Sequence, residues 1–193
     1  MVEEVIIAGF GGQGVMVMGY LLAYAAMREG RNVSWIPSYG PEMRGGTANC
    51  SVVISPDSEV ASPIVSEPTT LIAMNRPSLD KFERMLVPGG LLVVNTSLVD
   101  REPERRDIDL LEVPANDIAN ELGNMRVANM VLLGAFVARR GCVAPASITA
   151  SLEKVLPPHH HNLIPLNEEA FAKGATLAGR SRGLRASPGP RPA

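Results

Sequence analysis

Cysteine is nearly missing from this chain: Cys50 and Cys142 are the only two in 193 residues, and neither sits in a C-x-x-C or other ligand spacing. Their isolation argues against a disulfide framework, and against a metal or iron–sulfur site built from this chain alone. Aromatic residues are also scarce, at 4% against 46% apolar residues, so the interior should be aliphatic, with nine methionines as adaptable filler. Long apolar runs are absent. The longest, residues 127–138, contains Asn129 and falls well short of the roughly 20 residues a spanning helix needs. The opening Met1-Val2-Glu3-Glu4 lacks the basic region and apolar run of a secretory signal. Net positive charge is confined as well: the formal charge of −2 divides into +4 on residues 180–193, from Arg180, Arg182, Arg185 and Arg191, and −6 on the rest. An acidic body argues against nucleic acid as a partner. These absences lead us to expect a soluble cytoplasmic protein with one domain and no membrane partner.

A further absence decides how the most informative stretch is read. Gly9-Phe10-Gly11-Gly12-Gln13-Gly14 lies between an apolar strand, Val5-Ile6-Ile7-Ala8, and a helical pattern over residues 14–28. Its first, third and sixth glycines match a dinucleotide fingerprint, which allows a tight turn, close approach of a phosphate and tight helix–strand contact. A helix N-terminus there would favour an anion. About twenty residues on, where an Asp or Glu should grip the ribose, the chain instead reads Ser34-Trp35-Ile36-Pro37-Ser38. An NAD site is therefore disfavoured. The glycines serve either packing or some other anion contact, and Gln13 is a polar group that could face a ligand or a neighbouring subunit.

The pattern along the chain predicts an α/β fold. Residues 33–36 and 47–54 read as strands joined without a helix, which makes them antiparallel, since a parallel crossover needs a dozen or more residues. The sheet should therefore be mixed. Leu71-Ile72-Ala73-Met74, Leu91-Leu92-Val93-Val94 and residues 108–113 are further strands. Helices are expected after Pro77, from residue 114 to about 123, over 126–140 (apolar nearly all round, so buried or packed on a partner), near 147–156 and over 168–178. The tail from Gly179 has nothing to bury and is expected to be disordered.

Between the second and third strands lies Pro37-Ser38-Tyr39-Gly40-Pro41-Glu42-Met43-Arg44-Gly45-Gly46-Thr47. Gly45-Gly46 lets the backbone pass close to another molecule, and Arg44 offers a bidentate fork for carboxylate or phosphate. The bland alternative is a surface loop in which Arg44 pairs with Glu42. Asn75, Arg76 and Asn95 fall at strand ends, where they either bind ligand or cap helices. Arg126 and Asn129 could meet a partner chain, though an Asn in an apolar helix more often satisfies neighbouring backbone. His159-His160-His161 follows two prolines and reads as an exposed loop, not a metal site.

Five motifs occur in this order: GFGGQG from Gly9, PSYGPEMRGGTANC from Pro37, IAMNRPSLDKF from Ile72, Pro88-Gly89-Gly90, and LGNMRVANM from Leu122. Over residues 3–178 they resemble the gamma subunit of 2-oxoacid:ferredoxin (acceptor) oxidoreductases, most closely the branch acting on 2-oxoglutarate or branched-chain 2-oxoacids. Pyruvate and indolepyruvate enzymes carry related domains. The resemblance implies a three-layer α/β/α sandwich with a mixed, Rossmann-like sheet over residues 1–178, and an Arg/Pro/Gly tail over 179–193. It implies a multi-subunit enzyme that decarboxylates a 2-oxoacid on thiamine diphosphate with Mg, passes electrons through 4Fe–4S clusters to ferredoxin, and releases an acyl-CoA. In that family the diphosphate and the clusters belong to the alpha, beta and ferredoxin-like delta subunits, so this chain would be non-catalytic and inactive alone. Gly9, Gly11, Gly12, Gln13, Gly14, Ser38, Tyr39, Arg44, Gly45 and Gly46 would then line the approach to the active site and contact coenzyme A, or else serve only the subunit interface. A homodimer is expected if the partner-facing surface is left bare. The main rival is a stand-alone nucleotide- or CoA-binding protein using the same two loops.

Overall fold

A computed structural model describes residues 2–38, 47–55 and 62–180. The chain opens with β1 (Glu3–Phe10), α1 (Val15–Arg28), β2 (Asn32–Ser38), β3 (Thr47–Ser55) and β4 (Thr70–Ala73). It continues with α2 (Arg76–Phe82), β5 (Leu91–Asn95), β6 (Asp109–Val113), α3 (Ala115–Glu121) and α4 (Ala128–Arg140), then α5 (Pro145–Thr149), α6 (Leu152–Val155) and α7 (Ile164–Arg180). The six strands form one sheet in the order β2-β3-β1-β4-β5-β6. β1, β4, β5 and β6 pair in parallel, whereas β3 runs antiparallel to both β1 and β2. The short connection between β2 and β3 thus has the predicted consequence, a mixed sheet.

The apolar strand runs are continuous because both faces of the sheet are covered. On one face Val5, Ile7, Ile72 and Val93 join a large core with α1, α3, α4 and α7. On the other, Ile6, Ala8, Leu71 and Val94 pack with Leu79 and Phe82 of α2 and with Val65, Val99 and Ile108. The three layers are therefore unequal, with a thin second outer layer. α4 is buried at every position from Ala128 to Val137, and it buries itself within this chain instead of against a partner. Glycines permit that packing: a Cβ on Gly134 would run into the backbone of Phe171, and one on Gly174 into the backbone of Val131.

Helix boundaries differ from expectation in four places, the first being α2, which starts at Arg76 and holds Pro77 in its first turn instead of starting after it. The first turn of the helix expected over 126–140 is a 3-10 turn, Met125–Val127, capped by the Asn124 side chain, which accepts from the Arg126 N–H at 3.0 Å. The single helix expected near 147–156 is split into α5 and α6 at Ser151, whose hydroxyl turns back to the Ser147 carbonyl at 2.6 Å. α7 starts four residues before 168 and continues to Arg180, so the proposed tail loses its first two residues to the helix; residues 181–193 lie outside the described ranges.

Candidate functional site

Parallel strands deliver their carboxyl ends to one edge of the sheet, and here that edge carries the glycine-rich turn. Phe10, at the end of β1, is in register with Thr47, and Ser38 with Asn49. The residues flanking 39–46 therefore sit at the same edge as the turn, while Tyr39, Arg44, Gly45 and Gly46 themselves lie outside the described residues, as does the suggested Arg44–Glu42 pair.

Within the turn each glycine has its own reason. Gly9 is buried, and a Cβ there would crowd Gln13 Oε1, Val15 and Met74, so it serves packing and has no surface to offer a ligand. Gly12 (φ 88°) and Gly14 (φ 79°) adopt the left-handed conformation that favours glycine. Nothing lies near the Cβ position of Gly12, whereas that of Gly14 is filled by the Asn129 amide. Gly11 and Gly12 are exposed, and so is Ser38.

Buried amides hold this edge in shape. Gln13 does not point outward: its Oε1 accepts from the Phe10 N–H at 2.6 Å and from Asn75 Nδ2 at 3.2 Å, closing the turn on itself and tying it to β4. Asn75 Oδ1 caps α2 by accepting from the Ser78 N–H at 2.9 Å. Asn95, fully buried, donates to the Met74 carbonyl (3.1 Å) and to Asn116 Oδ1 (2.8 Å), and its Oδ1 accepts from the Ala115 N–H (3.1 Å). Asn129 donates to the Gly14 carbonyl at 3.4 Å and accepts from the Met130 N–H at 2.9 Å. Arg76 pairs with Asp100 at 3.1 Å. The strand-end polar residues are thus caps and braces, not free ligand groups, and Asn116 joins them with no local sequence signal to announce it.

Two hollows meet at the turn and share Gly12, Gly14 and Val17. One, of about 350 Å³, opens toward β3 and is lined by Phe10, Gly11, Met16 and Ala48. The other, of about 520 Å³, opens toward α4 and α7, with Arg126, Asn129, His160 and Asn167 as its polar side chains. The histidine tract is not an irregular loop: it forms a 3-10 helix, Pro158–Leu163, started by its prolines. His159 is exposed, while His160 is half-buried and turned to the larger cavity.

The thiols play no part at this edge. Burial pushes both Cys50 and Cys142 up to about 12, so each is a neutral thiol at physiological pH. Cys50 packs under α1, and Cys142 lies beside Glu3 and Arg140 at the opposite end of the sheet. The two do not fit a cluster site, and among the described residues no group of three or more His, Cys, Asp or Glu is placed to hold a metal ion. No helix among them is long and apolar enough to cross a membrane.

Comparison with known proteins agrees with this geometry. Residues 4–177 match the model of the family described as pyruvate ferredoxin/flavodoxin oxidoreductase. The ketoisovalerate oxidoreductase subunit VorA of Methanothermobacter marburgensis is 48% identical over 132 residues, 68% of this chain but only 27% of that protein. The chain therefore spans about a quarter of that relative. The 2-oxoglutarate synthase subunit KorC of the same organism is 38% identical over 165 residues, covering 82% of this chain and 88% of its own length. The crystal structure of a keto/oxoacid ferredoxin oxidoreductase gamma subunit from Geobacter sulfurreducens superposes with a TM-score of 0.81 at 30% identity, covering 93% of this chain and 99% of that one. The fold is that of these gamma subunits, and the chain belongs to the pyruvate ferredoxin/flavodoxin oxidoreductase family.

Proposed function

We propose that the chain is the gamma subunit of a thiamine-diphosphate-dependent 2-oxoacid:ferredoxin oxidoreductase that converts 2-oxoglutarate or a branched-chain 2-oxoacid to an acyl-CoA in the cytoplasm. The observation that carries this is the near-complete, one-to-one coverage of a gamma subunit of the same size and fold. Thiamine diphosphate, Mg and the 4Fe–4S clusters reside on alpha, beta and delta partners, and ferredoxin is reached through the complex. The working domain, expected over 1–178, runs on through the end of α7 at Arg180, and 181–193 act as a tail.

The chain's own contribution is to shape and close an approach. Gly11, Gly12 and Gly14 present backbone without side chains beside the hollow facing Ala48, and Ser38, exposed at the end of β2, leads in sequence into Tyr39, Arg44, Gly45 and Gly46. We assign these residues to the coenzyme A approach and the surface against the catalytic subunits. Gly9 and Gln13 support them from beneath, because their contacts are internal. The interface share of this role is favoured by Phe10 and Val17, large apolar residues left 39% and 37% exposed at the rim; without partners the same rim would pair two copies. Affinity purification of the tagged chain from its host without oxygen tests the assignment. Thiamine- and cluster-bearing subunits should co-elute. Elution of the chain alone, with micromolar affinity for CoA or a nucleotide, would support the stand-alone binding protein instead. Arg44→Ala then divides the two loop roles: a raised KM for CoA with intact assembly means contact, and loss of assembly means interface.

A further inference from the structure

We infer that the cavity between α1, α4 and α7 is a binding site for a small organic anion, anchored by Arg126. It lies on the side of the turn toward α4, shares Gly12, Gly14 and Val17 with the hollow assigned above to the complex, and is argued from Arg126, which that hollow does not include.

The first observation is electrostatic. Ten arginines have described side chains, and nine of them bond to a carboxylate or a backbone carbonyl. Arg126 is the one that makes no such bond among the described residues, and it is an exposed residue lining the cavity. An acidic chain with a free planar fork at a concavity offers bidentate binding to an oxyanion. The second observation is what the lining omits: among the described residues no carboxylate borders this cavity. Arg126 therefore has no counter-charge within the site among the described residues.

Size and polarity narrow the ligand. About 520 Å³ is within the range of small-molecule sites. Val17, Val127, Leu156 and Leu163 form apolar wall, so the anion should carry a compact apolar body. His160, half-buried and stacked edge-on against His159 with ring centroids 4.2 Å apart, brings an imidazole to the cavity with no hydrogen bond to the protein among the described residues. Asn129 and Asn167 are anchored to the Gly14 and Leu163 carbonyls and serve as fixed wall. Backbone at Gly12 can be approached closely because nothing occupies its Cβ position. The ligand class is thus a phosphate monoester or carboxylate on an apolar group.

Titration of the full chain with phenyl phosphate and with benzoate at low salt tests this and separates the two head groups. At least one should bind with Kd of about 1 mM or tighter, weaken as salt is added, and lose about tenfold or more in Arg126→Gln. Loss in His160→Gln would place the ring on the ligand as well. Arg84→Gln, which removes an exposed arginine paired with Glu104, should change nothing. An unchanged melting temperature checks that Arg126→Gln is folded. Binding of neither probe, equal binding by Arg126→Gln, or an Arg126→Gln defect confined to subunit assembly would each overturn the inference.

Discussion

The two ends of the sheet are finished in different ways. At the amino end buried charges are neutralised in pairs: the Glu3 carboxylate accepts from Thr70 Oγ1 at 2.5 Å and from Arg140 Nε at 3.1 Å, and Arg139 Nε donates to Asp109 at 2.8 Å. At the carboxyl end the buried groups are amides, with Gln13 on Asn75, Asn95 on Asn116 and Asn129 on Gly14. Paired charges leave no net field to spare for another molecule, whereas amides brace a glycine turn without adding charge. The difference teaches where a ligand can be recognised: among the described residues the carboxyl end combines open backbone with an arginine that makes no ion pair.

Four perturbations probe that contrast. The largest effect should come from Asn95→Ala, which strips three hydrogen bonds from a fully buried position and orphans the Met74 carbonyl and the Ala115 N–H; a loss of about 3 kcal/mol is expected in denaturant unfolding. Glu3→Ala at the other end leaves Arg140 and Thr70 without their carboxylate. Because Arg140 is partly exposed, about 2 kcal/mol is expected. A result near zero for either would mean that its end is not braced as described.

A smaller effect concerns pH. Burial tends to raise the Glu29 carboxyl, but hydrogen bonds from the Ser147 side chain, the Ala144 N–H and Arg31 outweigh it and hold the group below its ordinary value of 4.5. A carboxyl lower in the folded state stabilises fully above that ordinary value and loses its contribution as pH falls through the folded pKa. Wild type should therefore lose stability more steeply than Glu29→Gln below about pH 4.5; parallel curves would count against the brace. The smallest stability change belongs to Arg126→Gln, within about 0.5 kcal/mol of wild type in the same unfolding assay, because the side chain is exposed and makes no ion pair among the described residues.

Much of the fold could be read from residues alone. Continuous apolar runs such as Ile6-Ile7 and Leu92-Val93 are strands buried on both faces, and the missing helix between β2 and β3 dictated an antiparallel insertion. Less legible were features set by contacts distant in sequence. Gln13 reads from sequence as a polar group for a ligand or a neighbouring subunit, yet its oxygen is claimed by Phe10 and Asn75. α4 looked equally suited to a partner, and only Gly174, forty residues from Gly134, shows that α7 covers it. His160 enters the cavity because prolines wind its tract into a 3-10 helix, which a search for metal-ligand spacing passes over. That Arg126 pairs with no carboxylate among the described residues depends on where those carboxylates lie, and no local pattern records that.

The central claim, that this chain completes a 2-oxoacid oxidoreductase, is tested most directly by reconstitution. The partner subunits would be prepared without this chain under anaerobic conditions and assayed for CoA-dependent viologen reduction with 2-oxoglutarate and with 2-oxoisovalerate. The account predicts little activity until the chain is added back, then activity with at least one of these oxoacids. Full activity of the partners in its absence, unchanged on addition, would contradict it.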